Sequence, residues 1–502
     1  VPDTFDAVVI GAGFGGLGAA LTLVEAGARV CLLESLTYPG GCASTFTRSG
    51  YRFEAGATLF SGFGPGQLFA GLVDKYQMPV QVDLLDPMVL LRTARTELAI
   101  GPDREALRAQ LIAAGTPVEP LDRFLAKQRA VSQALWPLFD DPAMLPPVSP
   151  RAVVAHLGRS PSYAPLLPLL GRPLGDLVRR LGLHEAEAFM AYLNAVCQIT
   201  VQCSADEAEA AFALSTLDYY HRGTGHVRGG IGELATAMTD TLQNLGTQVR
   251  FATRARGLER RNERWVVHTR RGEVHAPSVI ANVLPQNLQG LLAPARASCP
   301  QLVQTAERVE TGWGAAMLYL VVAPPPGATQ DALHLELIAD PAQPFIEGNH
   351  IFCSISGAHD EGRAPPGLRT MTVSTHIPLA EVRTKSPEAQ ASYYAQVQAT
   401  MKNNLAGLAP EWVEDLRFEM PASPRTFERF TGRYAGYVGG VPRRAGLHNY
   451  DSIMPLSPAP GLFMVGDSVF PGQSTLATSL GGMKAAQAAL RGIRRRVPAS
   501  AA

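Results

Sequence analysis

Six cysteines are scattered through 502 residues, at Cys31, Cys42, Cys197, Cys203, Cys299 and Cys353. That is too few for a disulfide framework, and no CxxC pair or His/Cys cluster has zinc-ligand spacing. No metal is expected, and a reducing, cytoplasmic compartment fits best. Neither sign of charge is in excess, since Lys plus Arg and Asp plus Glu each number 44. A nucleic-acid partner is therefore not expected, because such a protein needs surplus cations to displace counterions. Lysine is scarce, confined to Lys75, Lys127, Lys385, Lys402 and Lys484, a bias we read as genome base composition. Long apolar runs are missing too: the longest, Ala315 to Ala323, is about half of what a bilayer crossing requires. The opening Val-Pro-Asp-Thr-Phe-Asp leads into a strand without a charged leader and apolar core, so no signal peptide is expected. What is present is a 46% apolar chain long enough for about two domains with large cores. Charged residues make up only 18%, against a usual level of about 25%, which leaves more apolar surface and keeps membrane contact open.

Phe5 to Ile10 (FDAVVI) has the form of a buried parallel strand. It runs into Gly11-Ala-Gly13-Phe14-Gly15-Gly16-Leu-Gly18 and a helical pattern closed by Gly27. A second strand, Arg29 to Leu33, ends in Glu34. Gly11 permits a tight turn, Gly13 lets the backbone approach a pyrophosphate, and Gly16 lets helix and strand pack closely. The helix N-terminus, at Phe14 and Gly15, supplies unpaired N–H donors for phosphate. Glu34, 23 positions after Gly11 and followed by Ser35, stands where a carboxylate accepts hydrogen bonds from a ribose diol. Strand, turn, helix, strand and acid in that order predict a dinucleotide site.

A second glycine pair follows at once, Gly40-Gly41, with Cys42 and Ser44 behind it. This resembles FAD proteins of the amine-oxidase and phytoene-desaturase type, in which the extra loop lies along the second half of the dinucleotide. Tyr51-Arg-Phe-Glu-Ala-Gly56-Ala57-Thr58 has the same group's form. At the far end, Gly461 to Val465 reads as a strand, followed by Gly466-Asp467-Ser468, by Pro471-Gly472-Gln473-Ser474-Thr475, and by a small-residue helix from about Leu476 to Leu490. The resemblance implies that Asp467 holds the ribityl chain and that this helix points its N-terminus at the flavin edge, where negative charge collects on reduction. FAD is the expected cofactor. Two departures stand out. Cys42 replaces an Arg found in many members, so one contact must be made otherwise. Ser474 replaces a common Gly, so Ser474 or Thr475 is expected to bond to the flavin.

The expected fold is α/β: a Rossmann-like FAD-binding domain of the amine-oxidase/phytoene-desaturase type with a discontinuous mixed α+β substrate domain. The first is assembled from 1–65, 222–290 and 455–502, the second from 66–221 and 291–454. In the middle piece, Gly232 opens a helix, Thr247–Phe251 and Trp265–Thr269 alternate like strands, and the resemblance puts Arg254 and Ala255 where backbone meets adenine. Residues 66 to 221 read as helical, and strands dominate from about 291 to 450. Leu145 to Leu183 is rich in Pro and Leu with interspersed Arg, the pattern of an apolar face resting in a lipid interface or of an ordinary core helix pair. The basic tail Arg494–Arg496 would assist at an anionic surface.

With these motifs placed, the chain resembles the carotenoid desaturase and isomerase family over essentially its full length. Within it, the carotenoid 3',4'-desaturase branch is suggested by Pro424 to Arg433, by Gly362 and by the strand Thr370 to His376. The resemblance implies introduction of a C=C bond, at the 3,4 position, into an acyclic or monocyclic carotenoid, 1-hydroxylated or not. Such a reaction removes a hydride and then a proton that a polyene cation makes strongly acidic, so a weak base suffices and no catalytic triad is expected. His226 is the one candidate base, with a structural histidine as its alternative. No second strand-GxGxxG-helix unit is present, so oxygen or a membrane quinone is the expected electron acceptor. The expected setting is peripheral, on the inner face of the membrane. A carotene cis–trans isomerase, an amine oxidase and a non-catalytic polyene carrier remain open.

Overall fold

The computed structural model describes residues 3–294, 298–451 and 453–494. Its six-stranded sheet runs Gln248–Arg250, Val30–Leu33, Ala7–Ile10, Ser278–Asn282, Leu462–Val465, Leu456–Ala459. The first five strands are parallel and the last is antiparallel. Strands such as AVVI and VCLL are buried at every position, as a sheet covered on both faces requires. Alternation decides which cover each side chain meets. Ala7, Val9, Leu32 and Ile280 pack beneath the helices Phe14–Glu25, Gly232–Asn244 and Thr475–Arg494. Val8, Ile10, Cys31 and Ala281 pack against a four-stranded sheet through Trp265, Val267 and Val274. The two middle strands read from the sequence thus fall in different layers. The helix-side core continues beyond residue 65 through Phe69, Met78, Trp136 and Leu145.

A seven-stranded sheet orders Leu416–Ala422, Gly314–Val322, Arg369–Ile377, His350–Ile355, Leu333–Ile338, Val89–Arg92, Glu97–Ile100. Its last two strands correct the reading of 66–221 as helical. Val-Leu-Leu-Arg and Glu-Leu-Ala-Ile form a hairpin, and Val89–Arg92 pairs in parallel with Leu333–Ile338. Runs of four residues carry too little periodicity to declare themselves before the pairing partner is known. The rest of that segment is largely helical, including Val118–Asp140 and Glu187–Thr200.

The two faces of this sheet differ in chemistry. Leu318, Val373, Cys353 and Leu335 point one way and are covered by the helix Pro387–Leu408 through Tyr394, Val397, Met401 and Leu405. The alternate positions of Arg369–Ile377 are Thr370, Thr372, Ser374 and His376, and their neighbours across the pairing include Ser354, His334 and Glu336. A buried sheet face this polar has to be lined with partners or face a cavity, because unpaired polar groups are costly in an apolar interior.

Leu145–Leu183 divides between the two roles foreseen for it. Leu166, Leu169, Leu174, Leu177 and Val178 are core, while Val154 (68% exposed), Leu157 (68%) and Leu167 (70%) face outward. No helix among the described residues is long and apolar enough to cross a membrane. Of the basic tail, Arg495 and Arg496 lie outside the described residues and Arg494 is their last member.

Candidate active site

The carboxyl ends of the parallel strands open into one cavity of about 1200 Å³ that reaches the polar face of the seven-stranded sheet. Gly11, Gly13, Phe14, Gly15, Glu34 and Ser35 form its first wall, where ligands of such sheets gather. Gly11 has φ +93°, in the region that favours glycine, and Gly40 donates its N–H to Ala12 O at 2.8 Å, so the second glycine pair sits directly on the first turn. The Glu34 carboxylate accepts from Ala12 N (2.7 Å), Leu36 N (2.8 Å) and Ser35 Oγ (3.0 Å), which fixes its orientation. Gly16 is not on the cavity. A Cβ there would lie 1.9 Å from Gly11 O, so its part is the close packing of helix on turn. Ser44 is also off the cavity, with Oγ donating to Gly41 O at 2.8 Å and bracing that turn.

Gly41, Cys42, Gly56, Ala57 and Thr58 line the adjoining wall, and Arg254 and Ala255 line the end beside Glu34. Gly466, Asp467, Gln473, Ser474 and Thr475 close the opposite side. Ser474 has φ +98°, a conformation that explains why glycine suits this position. Its Oγ accepts from Ala477 N at 3.0 Å and is spent on capping the final helix. Thr475 Oγ1 is buried at the cavity wall and has no partner, so it is Thr475 that offers a hydroxyl to a ligand.

The structure does not bring His226 to the cavity. Its Nε2 meets Asp360 Oδ2 at 2.7 Å, and both side chains are almost fully buried. Asp360 also accepts from Gly229 N (3.0 Å) and Gly357 N (2.8 Å), which pins two loops together. Burial pushes the Asp360 carboxyl upward, but the His226 hydrogen bond and charge outweigh it and hold the group down at about 2. This is a structural hydrogen-bonded pair.

Three residues that sequence reasoning did not assign also belong to the cavity. The Asn282 carboxamide ends a central strand, within 3 Å of where a Cβ on Gly13 or Gly15 would lie. Its position as the last residue of an apolar parallel strand was the available signal. Arg433 donates from Nη2 to Asp467 Oδ2 (2.7 Å) and from Nε to Tyr437 O (2.6 Å), and its charge acts on Cys42. Burial raises the Cys42 thiol, with the Arg433 charge opposing. A guanidinium thus stands beside Cys42, although no local signal links residues so far apart in the chain. His376 presents its imidazole from the polar sheet face.

Residues 14–490 match the family described as flavin containing amine oxidoreductase. The chain belongs to this family. It is an FAD-dependent oxidoreductase with the α/β fold of that family. Among its relatives, prolycopene isomerase 1, chloroplastic, of an Oncidium hybrid cultivar is 24% identical over 99% of this chain and 86% of its own length. Human all-trans-retinol 13,14-reductase is 27% identical over 67% of this chain and 56% of its own. The resemblance to carotenoid-related FAD oxidoreductases is borne out at that level. Wild-type putrescine oxidase bound to putrescine superposes with a TM-score of 0.62 at 16% identity, covering 98% of this chain and 99% of that one, a likeness of fold.

The residues of this flavin oxidoreductase fit an FAD group. A helix N-terminus, a buried carboxylate with fixed orientation, a cation beside the Gly-Asp pair and an orphaned Thr475 hydroxyl all face one space.

Proposed function

We propose that this flavin oxidoreductase is a desaturase of an apolar polyene, introducing a C=C bond at the 3,4 position of an acyclic or monocyclic carotenoid. The continuity of the cavity carries the reading: the space beside the cofactor motifs extends between Trp136, Phe139, Phe212, Met317 and Phe352, as an elongated apolar ligand requires. We assign cofactor holding to Gly11, Gly13, Glu34 and the Asp467–Arg433 pair, with Thr475 bonding to the flavin. When bound, FAD supplies a two-electron hydride acceptor. The aromatic walls hold the polyene in register and exclude water from a cationic substrate. Oxygen or a membrane quinone takes the electrons afterwards.

A second reading, cis–trans isomerisation of a carotene, is favoured by the relatives named prolycopene isomerase. An anaerobic absorption spectrum of the purified protein with acyclic and monocyclic carotenoids in liposomes separates the two. Red-shifted polyene bands with bleaching of the flavin band are expected. A changed cis band without flavin consumption, seen only after pre-reduction, would establish the isomerase instead.

A carotenoid must come from lipid, and one face is suited to meet it. Residues 142–175 contain no Asp or Glu but include Arg151, Arg159 and Arg172, and they carry the exposed Val154, Leu157 and Leu167. A basic, apolar surface of this kind matches the anionic inner face of a membrane. Replacing Val154, Leu157 and Leu167 together by Glu is expected to abolish co-sedimentation with anionic vesicles while leaving flavin content unchanged. At about 1.5 kcal/mol per side chain removed from lipid, the three amount to a loss on the order of a thousandfold. Vesicle binding that survives the triple change would move the docking face elsewhere.

A further inference from the structure

The desaturation proposed above must dispose of a proton, and the cavity holds few groups able to take one. Glu34 accepts three hydrogen bonds from its own turn and from Ser35, at the end of the site beside Arg254. Asp467 is paired with Arg433 and accepts from Ser468 Oγ at 3.1 Å. Tyr219 donates to Leu59 O at 3.2 Å, and burial pushes its phenol far above the ordinary range. His226, the base expected from the sequence, is locked to Asp360 away from the cavity. His376 remains.

His376 lies near the end of the strand Arg369–Ile377, paired across from Ala315, with Ser374 two residues before it on the same face. All three line the cavity. The Trp313 ring stands beside the imidazole, with centroids 6.2 Å apart at 62°, and is fixed by its Nε1 donating to Gln202 O at 2.7 Å. Among the described residues His376 makes no side-chain hydrogen bond or ion pair, in contrast to His226. Burial lowers its pKa to about 4, so at neutral pH the ring is uncharged and keeps one nitrogen lone pair. An unpaired neutral imidazole on a cavity wall shared with Ala315, Met317, Ser374 and Phe352 is a base that no described residue neutralises.

We propose that His376 is the catalytic residue that accepts the substrate proton. The inference rests on the desaturase reading. With FAD bound as the two-electron acceptor, one carbon of the CH–CH pair would give up a hydride, a proton with two electrons, to it. The neighbouring carbon loses a proton to the unprotonated ring nitrogen of His376, and the electron pair of that C–H bond becomes the second bond of the new C=C. The resulting imidazolium returns its proton to water when product leaves. Burial, which disfavours the charged ring, makes this release rapid and restores the neutral base for the next turnover.

The test is anaerobic single turnover of FAD-loaded protein with the carotenoid that the wild type desaturates, comparing wild type, His376→Gln and His376→Asn. Both variants preserve a polar side chain without basicity. A fall of about 100-fold or more in the red-shift rate is expected, the usual range for loss of a general base, with flavin content and polyene binding unchanged. Deuterium at the proton-losing carbon should slow the variants more than the wild type, an effect that a merely structural histidine would not produce. Rates within threefold of wild type, or loss of flavin from both variants, would overturn the assignment. A wild type that shifts no carotenoid spectrum defeats the desaturase reading itself, and the role of His376 falls with it.

Discussion

Gly482→Ala is expected to cost the enzyme its flavin and about 3 kcal/mol or more of stability, while Gly492→Ala, nearer the end of the same helix, stabilises by about 1 kcal/mol or is neutral. Composition treats the two glycines alike, and geometry separates them. A Cβ on Gly482 would lie 1.9 Å from Gly15 O and 3.0 Å from Ala19 N, inside the backbone of the helix Phe14–Glu25. Nothing stands within 4 Å of a Cβ on Gly492. The final helix cannot retreat cheaply, because Ser479 Oγ donates to Phe14 O at 3.2 Å and Leu480, Ala485 and Ala486 are buried in the shared core. What must yield is therefore the N-terminus of the opening helix, whose N–H groups we assign to the pyrophosphate. Thermal unfolding and the flavin absorbance that survives gel filtration measure both effects. A Gly482→Ala protein that melts as the wild type does and retains its flavin would show that the two helices are free to separate.

The same contact explains how far local reasoning carried. Gly11, Gly13, Glu34 and the Gly466-Asp467 pair were legible because each lies at the end of a short apolar strand, and strand, turn and helix are contiguous in the chain. Their chemistry follows from backbone conformation set within a few residues. Ser474 was visible as a departure, but its meaning needed φ +98° and the Ala477 N–H that it caps, which left Thr475 as the free hydroxyl. His226 misled for the opposite reason. It stands just before the Gly229-Gly230 turn, close in sequence to cofactor motifs, yet its partner Asp360 arrives from a distant loop and takes it out of the chemistry. His376 was overlooked although its strand was noticed. Alternation of Thr370, Thr372, Ser374 and His376 with apolar residues predicts a two-faced strand, and only the helix Pro387–Leu408 over the apolar face shows that the polar face is the inner one. The hairpin at 89–100 was lost because its partner, Leu333–Ile338, is more than 200 residues away.

Arg433→Ala is expected to weaken FAD binding by two to three orders of magnitude, and Cys42→Arg in the same protein is expected to recover at least tenfold of that loss. Asp467 stands at the end of a parallel strand with its Oδ2 2.7 Å from Arg433 Nη2 and little access to water. Removing the guanidinium leaves a carboxylate that is only 19% exposed without its cation, a change we put at about 3–4 kcal/mol, the lower part of the range for a fully buried pair. That carboxylate is the group assigned to the ribityl chain, so the cost falls on the bound cofactor, and about 1.4 kcal/mol per decade converts it to the stated range. Arg433→Lys should not restore binding, because one ammonium cannot serve Asp467 and Tyr437 O together as a planar fork does. The rescue follows from position. Cys42 adjoins the Gly40-Gly41 turn and lines the same cavity as Arg433, so an arginine placed there brings a cation to that space from the other side. Flavin fluorescence on titration of apoprotein with FAD reads the affinity, and the apoprotein melting temperature separates a lost contact from a lost fold. If Arg433→Ala binds FAD as the wild type does, the guanidinium braces the loop at Tyr437 and takes no part in holding the cofactor. If affinity falls but Cys42→Arg recovers none of it, the cation is required from the 433 side alone, through its bond to Tyr437 O.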